Sequence, residues 1–105
     1  MTRVVFFADE SGLFGFEISG HSTESCKDIE GKLVCSAVSS VAYMSANTIS
    51  EIIGDTVDSN VSDGFMRIIV KNISESSRKV LEGLRLHISE LSKQYKSRIT
   101  TTTEV

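Results

Sequence analysis

The chain has 105 residues, 40% of them hydrophobic, which is enough for one domain with a real core and leaves no length for a second. Eleven basic against fourteen acidic residues give a formal net charge of −3, so no broad positive field exists for a phosphate backbone and nucleic acid is not expected as a direct ligand. No apolar run approaches the ~20 residues needed to cross a bilayer, and Met1 to Asp9 reads as a strand rather than a leader, so the expected location is the cytoplasm, away from membranes.

Arg3 to Asp9 (RVVFFAD) and Leu13 to Ser19 (LFGFEIS) are β-branched and aromatic runs around Glu10-Ser11-Gly12, and they predict a hairpin. In the second run Phe14, Phe16 and Ile18 alternate with Gly15, Glu17 and Ser19, the pattern of a strand covered on one face. The polar stretch His21 to Lys32, bordered by Gly20 and Gly31, follows neither period and is expected to be a loop. From Leu33 to about Ile53, Val34, Val38, Val41, Ile49, Ile52 and Ile53 recur at helical spacing, and Gly54 supplies the stop. The small residues of that helix, from Ser36 and Ala37 to Ser45 and Ala46, let neighbours approach its backbone, which predicts a central position.

Thr56 to Ser62 and Phe65 to Lys71 flank Asp63-Gly64, a strong signal for a second hairpin. Asn72 with Glu75 three residues on resembles a cap, after which Val80, Leu81, Leu84, Ile88, Leu91 and Tyr95 mark a long second helix. Gly83 weakens it by about 1 kcal/mol relative to Ala. The Thr-rich end, 97–105, is expected to be a loose tail. The expected fold is therefore α+β, a single ββαββα domain over 1–96: two β-hairpins packed with a central helix and a long C-terminal helix.

Cys26 and Cys35 are the only cysteines, and in a cytoplasmic chain they are expected to stay reduced. With His21 and His87 they make four zinc-type ligands on paper, but without paired Cys-x-x-Cys spacing no metal site and no cofactor is expected. A helix beginning at Leu33 puts Cys35 in its first turn, where backbone amides and the dipole favour a thiolate, with Lys32 adding positive charge. The same amides suit an oxyanion formed when a thiolate attacks a carbonyl. His21, at the end of the second strand and fourteen residues earlier, can fold back as general base and acid. Each residue has a plainer reading. Cys is among the most buried residue types, and a His at a strand end is more often a satisfied polar group, so position alone leaves both readings open. Cys26 reads as an exposed bystander, His87 as structural, and Phe6, Phe7, Phe14 and Phe16 as core.

The segment GHSTESCKDIEGKLVCSAVSS, residues 20–40, resembles the signature of the bacterial ribosomal-processing cysteine protease (Prp) family. Gly20-His21 and Val34-Cys35-Ser36-Ala37-Val38-Ser39 match its two motifs in order, and the element order and length agree along nearly the whole chain. The resemblance implies a Cys35–His21 dyad, substrate contacts at Gly20, Lys32 and Ser36, and a homodimer. It also implies a substrate, the N-terminal extension of a large-subunit ribosomal protein, cut after an aromatic residue that fills a hydrophobic subsite. The loop between the motifs would then be a substrate gate with glycine hinges. One position departs: Lys32 stands where the family usually has an acid, and Asp28, ahead of Glu30, is the nearest candidate for an orienting role. The departure keeps a non-cleaving, ribosome-associated binding module in competition. A third reading is an oxidation sensor in which Cys26 resolves an oxidised Cys35.

Overall fold

The computed structural model describes residues 1–21, 25 and 27–105. Strands β1 (Thr2–Asp9) and β2 (Gly12–Ser19) form the first hairpin. Helix α1 (Ile29–Asn47) runs on into a π-helical segment, Thr48–Ile53, and strands β3 (Thr56–Ser62) and β4 (Phe65–Lys71) form the second hairpin. Helix α2 (Glu75–Gln94) and strand β5 (Ile99–Glu104) complete the chain. The five strands make one sheet in the order β3-β4-β2-β1-β5, antiparallel except for β1 with β5.

One face of the sheet carries the core. Val4, Phe6, Phe16, Met66, Ile68 and Val70 alternate onto it and meet Val34, Val38, Ala42 and Ile49 of α1 with its extension, and Leu81, Leu84 and Ile88 of α2. The expected α+β domain of hairpins and two helices is what forms, with small α1 residues such as Ala42 and Ser45 fully covered. Ser45 satisfies its hydroxyl on the Val41 carbonyl at 2.8 Å, and Thr48 does the same to Met44 at 2.7 Å. Such bonds back to the preceding turn compete with the helix ladder, and the π-helical segment begins there.

Several boundaries differ from the sequence reading. The residues from 97 on are not a loose tail: β5 lies parallel to β1 from Thr2↔Ile99 to Phe7↔Glu104, and Ile99 is buried. Threonine is β-branched and suits an edge strand, so the Thr run pairs although it has no apolar period. Helix α1 starts four residues before Leu33, because Asp28 caps it by accepting from the Gly31 N–H at 3.1 Å. Ile52, counted among the apolar positions, is 81% exposed. The cap of α2 is Ser74, whose hydroxyl accepts from the Ser77 N–H, while Asn72 occupies a left-handed turn at φ 47°. In the first hairpin the pairing slips between Phe7 and Ala8, so Leu13 rather than Phe14 enters the core. Phe14 stacks instead on Phe7, whose ring also lies under the Arg67 guanidinium at 5.0 Å.

Because Ile99 sits 2% exposed between β1 and the helices, Ile99→Ala is expected to lower stability by about 2–5 kcal/mol. Urea unfolding checks this; a wild-type midpoint would show that β5 adds nothing to the core.

Candidate active site

The site is built where the end of β2, the start of α1 and the tip of the β3–β4 hairpin converge. Gly20 ends β2 at φ 86°, a conformation that suits glycine, and its N–H donates to the Gly64 carbonyl at 3.0 Å. The same residue packs so closely on Met1 that a side chain would meet the Met1 carbonyl oxygen. His21 follows directly, exposed, with its carbonyl oxygen accepting from the Met1 nitrogen at 2.7 Å. Its ring rests against the hairpin turn: a Cβ on Gly64 would lie 2.7 Å from Nε2.

Cys35 reaches the same place from α1. It is half-buried and carries no disulfide. His21 and Cys35 both line one cavity of about 350 Å³, together with Ser36, Val38, Ser39 and Tyr43 of α1 and residues Val61 to Met66 of the hairpin. Apolar Val38, Val61, Phe65 and Met66 form one part of the wall, while the hydroxyls of Ser36, Ser39 and Ser62 and the Asp63 carboxylate supply polar groups. A second cavity of about 220 Å³ shares Tyr43, Val61 and Met66 and extends along α1 past Ala46 and Asn47 to Ser50 of the π-helical segment. A thiol and an imidazole in one partly apolar cleft can perform nucleophilic acyl transfer on an extended peptide.

The structure therefore brings His21, Cys35, Gly20 and Ser36 together and leaves Lys32 outside the cavity wall, exposed one turn before Cys35 on α1. Cys35 is in the second turn of α1 rather than the first, since the helix begins at Ile29. The first-turn amides precede it, and those of Ile29 and Gly31 are taken by the Lys27 carbonyl and the Asp28 carboxylate, each at 3.1 Å, so the amide cradle expected at Cys35 does not lie at these two groups. Gly31 lies inside the helix and is buried, so it is no hinge of a gate. Asp28 and Glu30 are joined to Arg98: Asp28 by contacts of 2.6 and 2.9 Å, Glu30 by one of 3.0 Å. Cys26 falls outside the described residues, as do 22–24 of the proposed gate. His87 is exposed on α2 and outside the cavity. Among the described residues no group of three or more His, Cys, Asp or Glu is placed to share a metal ion, and no helix is long and apolar enough to cross a membrane.

Sequence reasoning missed Tyr43, Asp63, Phe65 and Met66 as parts of the site. Ser39 and Tyr43 follow Cys35 at spacings of one and two helical turns, a stripe that periodicity makes visible once the nucleophile is placed. The hairpin residues carry no such signal, since only the fold brings their turn to β2.

A model of the family described as cysteine protease Prp matches residues 1–100. The chain belongs to this family and is a cysteine protease. No curated protein sequence matches it. Among solved structures, the ribosomal processing protease Prp from S. aureus with a covalently linked product peptide superposes at a TM-score of 0.86. Its identity is 20%, over 99% of this chain and 100% of that one. The same S. aureus protease with a substrate peptide gives 0.87 at 16% identity, over 99% and 100%. SMU.848 from Streptococcus mutans gives 0.86 at 23% identity, over 98% and 93%. At such identities the likeness establishes the fold.

A side chain at Gly64 must push the imidazole aside, and φ 70° there strains any other residue. Gly64→Ala is expected to cut peptide hydrolysis by about 100-fold, since a displacement near 1 Å has that effect on positioned groups. Steady-state kinetics beside a circular-dichroism melt test this; full activity in the folded variant would remove the His21–turn contact from the mechanism.

Proposed function

We propose that this Prp-family protease removes the N-terminal extension of a large-subunit ribosomal protein, with Cys35 as nucleophile and His21 as general base and acid. The observation that carries the reading is the meeting of these two residues, from separate elements, at one cavity in a chain of this family. The S. aureus structures in that family hold a substrate peptide and a product peptide, which supports a peptide as occupant here.

The chemistry follows from the two groups. His21 takes the Cys35 proton, and the thiolate sulfur bonds to the carbonyl carbon of the scissile peptide. The tetrahedral oxyanion collapses, the C–N bond breaks, and His21 delivers its proton to the departing amine. Water, deprotonated by His21, then attacks the thioester and releases the carboxylate product and the thiol. An aromatic side chain before the scissile bond fits the apolar wall of Val38, Tyr43, Val61 and Met66. The hydroxyls of Ser36 and Ser39 face the same space and suit hydrogen bonds to the peptide. Asp28 serves this site by capping α1, and thereby fixing the helix that bears Cys35, rather than by a described bond to His21. The family resemblance supports a homodimer as the working assembly.

Intact-mass spectrometry of the extended ribosomal protein after incubation is expected to show loss of one N-terminal fragment. Cys35→Ala and His21→Ala are each expected to lower the rate at least about 10³-fold with the fold intact. An unchanged substrate mass with the native protein would favour the non-cleaving ribosome-associated module that Lys32 suggested.

A further inference from the structure

The second cavity, beyond that of Cys35 and His21, has no part in the chemistry described so far. We infer that it is a distal specificity subsite for an aliphatic side chain about four or five residues before the scissile bond, a step that rests on the peptide cleavage proposed above.

The lining sets the chemistry of the occupant. Val57 and Val61 of β3, with Met66 and Ile68 of β4, face Ala46 of α1 across about 220 Å³. Asn47, Ser50 and Ser59 add uncharged polar groups, and no Asp, Glu, Lys, Arg or His is among the described lining residues. A charged side chain would enter without a partner, whereas an aliphatic one exchanges water for apolar walls. The volume lies below the ~300 Å³ at which pockets for whole small ligands begin, and it suits one side chain such as Leu or Met.

Continuity with the first cavity makes that side chain part of the same peptide. Tyr43, Val61 and Met66 line both spaces. Tyr43 and Val61 are 47% and 48% exposed, so apolar surface open to solvent leads from one to the other. The wall assigned above to the aromatic residue before the scissile bond includes these shared residues, so the chain preceding that residue continues over them, away from Cys35. Strand β3 is the outer strand of the described sheet, and its edge offers backbone groups to an extended peptide along this path. Helix geometry gives the distance. At a rise of ~1.5 Å per residue, Tyr43 stands about 12 Å from Cys35 along α1, and Ala46 and Asn47 about 17 Å. An extended peptide advances about 3.4 Å per residue, so it passes Tyr43 after about three or four residues and reaches the cavity at about the fourth or fifth. The plain alternative is a packing gap beneath an edge strand that no ligand enters.

Quenched fluorescent peptides of one length separate the two. Each has Phe before the scissile bond and Ser elsewhere, with a single Leu moved from the second to the sixth position before the bond or to positions after it. Leu at the fourth or fifth position is expected to raise kcat/KM about tenfold or more over Ser, the gain from burying a Leu side chain. Ser59→Trp, from β3, and Asn47→Trp, from α1, each place an indole in the second cavity from an exposed position that does not line the first. Both are expected to bring the Leu-to-Ser ratio to about one, with a circular-dichroism melt reporting the fold. The inference is overturned by an absent preference, by one confined to the second or third position or to positions after the bond, or by a ratio that survives in the folded variants. If no peptide is cut, the cleavage reading fails, and fluorescence polarisation of the same peptides on Cys35→Ala protein decides the subsite. Tighter binding of the Leu peptide that Ser59→Trp removes supports it, and equal binding of the Leu and Ser peptides overturns it.

Discussion

The arrangement depends on one guanidinium. Arg98, just before β5, grips Asp28 with two nitrogens and Glu30 with a third, and its carbonyl oxygen accepts from the Thr2 N–H at 2.9 Å. Asp28 meanwhile caps α1. One residue thus joins the first turn of α1 to β1 and β5, elements from the two ends of the sequence. Both the Arg98 and Asp28 side chains are largely covered, at 19% and 13% exposure. The two carboxylates raise the Arg98 pKa further, Asp28 first and Glu30 second, so the guanidinium stays charged. Burial of such a pair brings little net stability, because desolvation offsets most of the attraction. Its effect is geometric: a forked donor accepts one orientation of the carboxylate, and that orientation sets where α1 begins.

This explains which parts of the sequence were legible. The hairpins and α2 declared themselves through local signals: turn residues at Asp63-Gly64, alternation through β4, and the 3.6-residue stripe of Leu81, Leu84 and Ile88. The start of α1 was not legible, because Ile29 to Lys32 are polar or exposed except Gly31, and their helical state is tied to a partner about seventy residues away. Strand β5 was hidden for a related reason. Ile99 is its one buried residue, and without the neighbouring β1 a run of threonines has no period to read. The register slip at Phe7 and Ala8 is likewise a property of pairing, and it takes Phe14 off the core face assigned to it with Phe16 and puts Leu13 there.

At the site the same division holds. The two motifs around His21 and Cys35 were readable as a resemblance, and the helical spacing 35-39-43 is readable as a stripe. What no local pattern contains is the clamp of Gly20 on Gly64, since it joins β2 to a turn more than forty residues later. A glycine at 64 looked like ordinary turn chemistry, yet its missing side chain is also what admits the imidazole. One atom's absence serves the hairpin and the site together.

The shift of Cys35 from the first to the second turn of α1 changes where the thiolate draws its stabilisation. Helix-terminal charge falls off within about one turn, and the capping carboxylate of Asp28, with Glu30 beside it, offsets much of what remains. Lys32 adds an exposed charge outside the cavity, screened by water and salt. In the dyad proposed above, the imidazolium of His21 stabilises the sulfur anion across a cleft whose apolar walls strengthen the attraction. On that proposal the reactivity of Cys35 depends on how firmly the β3–β4 turn holds His21, and less on the helix that carries the thiol. Val61 and Met66 of the cavity wall belong to the same hairpin whose turn touches His21, so in the proposed reaction binding and activation share one structural element.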